Sequence, residues 1–336
     1  MDALNALVAF LNFVFLPGLT YGAQLALGAL GVTLIYGILR FSNFAHGDTM
    51  AFGTMVTILA TWGLQAMGVS FGPMPTALLA LPVGIAVTAL FVLGTDRVVY
   101  RFYRRQRVPP SILVIVSLGV MLVMNGVVRF IIGVDDRDFA DGERFIISAA
   151  GFRAATGLAE PLAIRTSQVV TLVTAVVTVA LLFWFLNRTR TGKSMRAFSD
   201  NEDLALLSGI SPERVVAVTW IICAALATIA GVLYGLDKTF KPFTYFQLLL
   251  PIFAAAIVGG LGSPLGAIAG GFLIAFSEVV VTYAWKKVLG YVLPDSMAPD
   301  TLVQLLSTDY KFAVSFTILI IVLLFMPTGI FKGKSV

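Results

Sequence analysis

Residues 111–133 read SILVIVSLGVMLVMNGVVRFIIG, and Arg129 is the only charged side chain among them. A helix of about 20 apolar residues crosses the hydrocarbon of a bilayer because it pairs all its backbone polar groups internally. Comparable stretches recur near 18–39, 49–68, 74–95, 167–187, 215–236, 244–262, 265–285 and 311–328. The composition agrees. Of 336 residues, 58% are hydrophobic and 12% charged, where a soluble chain is about 25% charged, and the mean hydropathy is +0.94. The expected fold is all-α, a polytopic transmembrane helix bundle of about 8–10 spans. Residues 1–336 are expected to form a single integral membrane domain with no separate soluble part. Residues 5–17 are apolar but too short to cross, so a peripheral or interfacial helix is expected there.

No Lys or Arg precedes Arg40, so the start lacks the basic region of a cleaved signal peptide. The first span is then expected to act as the membrane signal itself. Cys223, the only cysteine, falls inside a span, which excludes a disulfide within the chain. The net charge of +5 comes mostly from loop arginines and points to topology, not to nucleic acid.

Basic residues set the orientation. Arg97, Arg101, Arg104, Arg105 and Arg107 crowd one connection, and Arg188, Arg190, Lys193, Arg196 and Arg214 crowd another. With nine spans, Arg40 and the tail residues Lys332 and Lys334 fall on the same side. The opposite side dilutes Arg137, Arg144, Arg153 and Arg165 through a loop carrying Asp135, Asp136, Asp138, Asp141 and Glu143. Positive loops face the cytoplasm, which puts the N-terminus outside and the C-terminus inside.

The cytoplasmic connection Arg188–Arg214 reads RTRTGKSMRAFSDNEDLALLSGISPER, long enough for two short helices. Its centre reads as a helix of its own, with Leu204, Leu206, Leu207 and Ile210 giving an apolar face beside Glu202 and Asp203. Gly209 and then Ser211-Pro212 supply the stop and turn. Nothing else in the loop can cover that face, so docking on a partner protein is favoured over a helix lying in the headgroup plane.

Two segments interrupt the apolar pattern. One is Ser42-Asn43-Phe44-Ala45-His46-Gly47-Asp48, with the only histidine of the chain; the other is Gly259-Gly260-Leu261-Gly262-Ser263-Pro264-Leu265-Gly266. Irregular backbone at membrane depth is tolerated where protein or a wet cavity satisfies it. Paired interruptions point to inverted repeats and broken helices with a pathway between them, against the alternative of two tight interfacial turns. On this basis Asn43, His46, Gly47, Asp48, Gly259, Gly260, Gly262 and Ser263 are candidate pathway residues. Glu278 joins them as an acid in mid-span, either on the pathway or hydrogen-bonded in packing to a neighbouring Ser or Thr. Arg129, near an outer helix end, can snorkel to the headgroups. His46 beside Asp48 fits a structural hydrogen-bond donor better than a proton relay.

No P-loop is present. Thr191-Gly192-Lys193-Ser194 and Gly333-Lys334-Ser335 imitate the end of one, but Asn187 and Thr328 stand where its first glycine is required. With one His and one Cys there is no metal-ligand cluster either. Any ATP that drives this protein is hydrolysed on another chain.

Four segments carry a family resemblance across nearly the whole length. They are Tyr36-Gly37 leading into Asn43-Phe44-Ala45-His46-Gly47; Gly192 to Arg214; AAAIVGGLGSPLGAIAGG from Ala254 to Gly271; and Met326-Pro327-Thr328-Gly329-Ile330. In these the chain resembles the permease subunits of bacterial branched-chain amino acid ABC importers, the LivH/LivM type, nearest the LivH-like branch. Such permeases carry an EAA-x-x-x-G coupling pattern. Here Asp203-Leu204-Ala205, then Leu206, Leu207 and Ser208 before Gly209, keeps the spacing but not the letters.

The resemblance implies a multi-pass protein of the bacterial inner membrane, not an enzyme, with branched-chain or other hydrophobic amino acids as cargo. It implies as partners a second homologous permease, two ATP-binding cassette subunits and a periplasmic substrate-binding protein. ATP and magnesium would be bound by those cassettes and no cofactor by this chain. An amide, urea, an aromatic acid or a sugar is the alternative cargo. A secondary transporter or channel would be expected to show more intramembrane charge and no long cytoplasmic docking loop.

Overall fold

The computed structural model describes residues 2–293, 301 and 303–331. Lys332 and Lys334, used above for the sidedness of the tail, lie outside the described residues, as does Gly333-Lys334-Ser335. Among the described residues, eight helices are long and apolar enough to cross a membrane: Asp2–Leu39, Ala77–Arg105, Pro110–Ile132, Thr166–Arg188, Pro212–Lys238, Pro242–Gly259, Pro264–Thr282 and Thr308–Phe325. With the remaining helices in chain order these become α1 (Asp2–Leu39), α2 (His46–Ala66), α3 (Ala77–Arg105) and α4 (Pro110–Ile132). There follow α5 (Ala149–Thr156), α6 (Thr166–Arg188), α7 (Arg190–Asp200), α8 (Glu202–Leu207) and α9 (Pro212–Lys238). The last four are α10 (Pro242–Gly259), α11 (Pro264–Thr282), α12 (Lys286–Val292) and α13 (Thr308–Phe325). A short antiparallel hairpin, β1 (Phe145–Ile147) with β2 (Ile164–Arg165), frames the loop between α4 and α6.

Two expectations need correction. Residues 5–17 are not a separate interfacial helix, because α1 runs unbroken from Asp2. A π-helical turn at Leu11–Phe15 leads directly into the α-helix that contains Pro17, so the proline is absorbed without a break. Likewise α3 continues past residue 95 through a second π turn, Asp96–Tyr100. Arg97, Arg101, Arg104 and Arg105 therefore sit on its last turns, and only Arg107 lies in the connection. Asp96 makes this possible. Its carboxylate accepts hydrogen bonds from Arg104 and, at 2.7 Å, from Trp220 Nε1 on α9, and Tyr100 packs between Trp220 and Phe41.

The remaining long helix, α2, is less apolar, and its first half is enclosed by protein. Thr49, Thr54, Thr57 and Thr61 are all buried, and each hydroxyl bonds the carbonyl four residues back. At Gly231 of α9 a Cβ would stand 2.7 Å from the Met50 carbonyl, so glycine is what lets α9 cross α2 this closely.

α1 and α9 run antiparallel through the centre, tied by Gln24 to the Leu233 carbonyl and Cys223 to the Gly31 carbonyl. Around that pair the packing is written twice. α1 lies against α10 and α11 as α9 lies against α2 and α3, while α2 packs on α4 as α10 packs on α13. The series α1–α4 is thus repeated in the opposite direction by α9, α10, α11 and α13, the inverted repeat expected from the sequence. Its matched interruptions differ from those expected. α1 and α9 end on non-glycine residues of positive φ, Arg40 at 57° and Thr239 at 88°, each followed by non-helical chain. The counterpart of residues 40–45 is therefore 239–241, and Gly260–Ser263 is the turn of the α10–α11 hairpin.

Candidate functional site

From the end of α1 the chain turns back into the bundle. A Cβ on Gly31 would stand 2.5 Å from the His46 ring, so His46 is level with Gly31, roughly 12 Å inside the end of α1. Backbone in this re-entrant stretch is satisfied by protein. Asn43 Oδ1 accepts from the Ala45 amide and the Tyr100 hydroxyl, and the Phe44 amide donates to Ser117 Oγ at 3.1 Å. His46 is fully enclosed and its Nε2 has no partner. Gly47 abuts α10, where a Cβ would meet the Tyr245 carbonyl at 2.7 Å. Asp48 is buried on the first turn of α2. Its Oδ1 accepts from Asn125 Nδ2 at 2.8 Å and its Oδ2 has no partner.

The second candidate segment is built differently. A Cβ on Gly259 would lie 2.0 Å from the Gly266 carbonyl, and one on Gly270 2.1 Å from that of Ala255, so α10 and α11 touch backbone to backbone. Gly260 at φ 108° and Gly262 at φ 85° turn the chain, and Ser263 caps α11 by accepting from the Gly266 amide. The Met326–Ile330 segment closes over this hairpin, with the amides of Ile330 and Phe331 donating to the carbonyls of Val258 and Gly259. That gives the MPTGI string a local packing role. Gly259 lies about 15 Å further along α10 than Leu249, the residue that Gly47 touches. Asn43, His46, Gly47 and Asp48 are thus brought together, whereas Gly259, Gly260, Gly262 and Ser263 form a separate turn beside α7.

Glu278 stands one turn from the end of α11, not at its middle. It is buried, and Ser315 of α13 donates to its Oε1. Its other near neighbours are Tyr21 and Lys311. This is the packing arrangement anticipated as the alternative to a pathway role. Glu278→Gln, which can still accept from Ser315, is expected to leave stability within about 1 kcal/mol. Glu278→Leu strands the Ser315 hydroxyl and is expected to cost about 1–3 kcal/mol, read as a lowered unfolding temperature in detergent.

The connection Arg188–Arg214 folds as the two short helices expected, α7 and α8. Thr189 caps α7 by accepting from the Gly192 amide, and a Cβ on Gly192 would meet the Phe185 carbonyl at 2.3 Å, which fixes glycine at this corner. Asn201 caps α8 by accepting from the Leu204 amide. The helix closes on Gly209 (φ 79°), with the amide of Ile210 donating to the Ala205 carbonyl. Ala205 is buried against the bundle, which turns Leu204, Leu206 and Leu207 outward at 60%, 43% and 85% exposure. Asp203 is exposed beside them. A groove next to α8 is lined by Arg40, Arg101, Arg105 and Arg107 together with Glu202 and Glu213. The basic connections therefore share one end of the molecule.

At the other end, Asp141 ties the acidic loop to the α2–α3 turn by accepting from Gln65 Nε2 and the Thr76 amide. Partial burial raises its pKa, but these hydrogen bonds outweigh it and hold the carboxyl below its ordinary range.

Asn125, Tyr100 and Ser117, which partner the re-entrant stretch, were not singled out from the sequence. Asn125 carried a usable signal, an amide in the middle of an otherwise apolar span.

The profile of the branched-chain amino acid transport system / permease component family matches residues 14–323. The high-affinity branched-chain amino acid transport system permease protein LivH of Escherichia coli is 32% identical over 334 residues, 97% of each chain. The corresponding permease protein BraD of Pseudomonas aeruginosa is 30% identical over 321 residues, 95% of each chain.

Proposed function

This chain belongs to the branched-chain amino acid transport system / permease component family, and from that premise we propose that it forms one half of the membrane pathway of an ATP-driven importer. The proposed cargo is a branched-chain or other hydrophobic amino acid, carried across the inner membrane of a bacterial cell. The observation that carries this is the α8 ridge. Leu204 and Leu207 are exposed at the arginine-rich end of a multi-pass membrane protein, where soluble ATPases are found if that end is cytoplasmic.

A second homologous permease would cover part of the exposed apolar surface and complete the pathway. Each of two ATP-binding cassette subunits would seat a coupling helix such as α8, so that closure of the cassettes on ATP moves the helices attached to it. α8 is linked directly to α9 through the Ser208–Ser211 turn, and α9 packs on both α1 and α2. A pull on α8 therefore reaches the centre of the bundle through one rigid element. At the opposite end the loop from Asp135 to Arg165 offers the docking surface for a periplasmic binding protein, which would select the cargo.

Uptake of radiolabelled leucine by cells expressing the permeases and binding protein, with and without the two ATPase subunits, tests this. Accumulation against a gradient only when the ATPases are present is expected. Equal accumulation without them would mean an ATP-independent carrier.

A further inference from the structure

One buried charge in the re-entrant segment is answered by a charge with no partner of its own. Asp48 has a carboxylate oxygen bonded to Asn125 and a second with no partner, in a side chain 1% exposed. One helical turn beyond Asn125, on the same face of α4, stands Arg129. Arg129 is within electrostatic reach of Asp48, yet among the described residues it makes no salt bridge. It is half-buried, with its guanidinium 5.9 Å from the centre of the Phe243 ring on α10, so snorkelling alone does not describe it.

An unpaired buried carboxylate oxygen and an unpaired guanidinium are each costly to keep. Within electrostatic reach of each other and not joined by a salt bridge, they have the complementarity that a zwitterion needs. The i, i+4 spacing on α4 separates the levels of Asn125 and Arg129 by about 6 Å. An α-amino acid with a hydrogen bond at each end fits such a gap.

We propose that Asp48 and Arg129 form a transit site for the α-amino acid zwitterion, Asp48 taking the ammonium and Arg129 the carboxylate. Asn125 is a positioning residue that holds the Asp48 carboxylate toward Arg129. This rests on the amino acid cargo proposed above and assigns the groups that meet it. The site binds weakly, since a tight ionic site within the membrane would retain what it must release.

The test uses the complete transporter, reconstituted with its ATPases, second permease and binding protein, and reads leucine imported per ATP hydrolysed. Asp48→Asn and Arg129→Gln are expected to lower that ratio about tenfold or more, with stimulated ATP hydrolysis within about twofold of wild type. Damage to packing alone would lower uptake and hydrolysis together, and wild-type ratios in both variants would overturn the proposal. Should Asp48→Asn fail to assemble, Arg129→Gln and Arg129→Lys decide by the same ratio. Gln is expected to lower leucine imported per ATP about tenfold or more and Lys, which keeps the charge, to restore part of it. Equal, wild-type ratios in both would overturn the site. A wild-type complex that hydrolyses ATP but imports no amino acid would instead overturn the cargo itself.

Discussion

Leu204→Glu together with Leu207→Glu is expected to strip the ATPase subunits from the purified complex and abolish ATP-driven uptake, while the permease stays folded in the membrane. Both leucines are exposed on α8, at 60% and 85%, so little within this chain depends on them for packing. Burying a leucine at an interface contributes about 1.5–3 kcal/mol. Losing two of them removes about 4 kcal/mol, roughly three orders of magnitude in affinity, before the cost of burying two carboxylates is added. Affinity purification followed by measurement of the ATPase-to-permease ratio, with a thermal unfolding curve of the permease alongside, separates loss of docking from loss of fold. A full ATPase complement on the double variant would return α8 to the alternative of a helix lying in the headgroup plane. Ala205→Glu on the same helix strikes the buried side and belongs to a different class, since it unseats α8 from the bundle.

Gly259→Leu is expected to yield almost no folded protein. The new Cβ would stand 2.0 Å from the Gly266 carbonyl, and backbone in the middle of a helix contact cannot move aside as a flexible side chain can. Helix contacts in a bilayer rest on close packing, without a hydrophobic drive to restore them. Separating α10 from α11 would cost at least about 3 kcal/mol and would disturb the Ile330 and Phe331 hydrogen bonds that close over the hairpin. Gly262→Ala is the informative contrast. Open space surrounds its Cβ position and only the backbone at φ 85° resists, so a loss of about 1–2 kcal/mol is expected. The yield of monodisperse protein after detergent extraction compares the two directly. Equal yields would mean that α10 and α11 are not in backbone contact.

Much of this architecture was legible in the sequence because lipid imposes one rule on every span, and long apolar runs obey it. Two kinds of element escaped. The first was helix continued through residues that ordinarily end one. Residues 5–17 looked too short to cross but run through a π turn into the rest of α1, and Arg97–Arg105 looked like a loop but ride on α3, where Asp96 and Glu213 answer Arg104 and Arg101. The second was the pairing of interruptions across the repeat. Glycine content drew attention to Gly259–Gly266, whereas the true counterpart of residues 40–45 is a three-residue break at Thr239 with no compositional mark. The connection Arg188–Arg214 was read correctly as two helices because its caps, acids and leucines are local signals. Around the re-entrant segment, by contrast, Asn43 and Asp48 were visible from the sequence, but their partners Tyr100 and Asn125 lie on other helices. Only the fold brings them together.

The most direct measurement is photo-crosslinking from position 207. A photoreactive amino acid placed there, in the fully assembled transporter, reports what the exposed end of α8 touches. A crosslink to an ATPase subunit, altered by trapping the ATP-bound state, is the expected result. Crosslinks confined to lipid or to the second permease, with none to an ATPase in any nucleotide state, would contradict the assignment of α8 as the element through which ATP hydrolysis moves this protein.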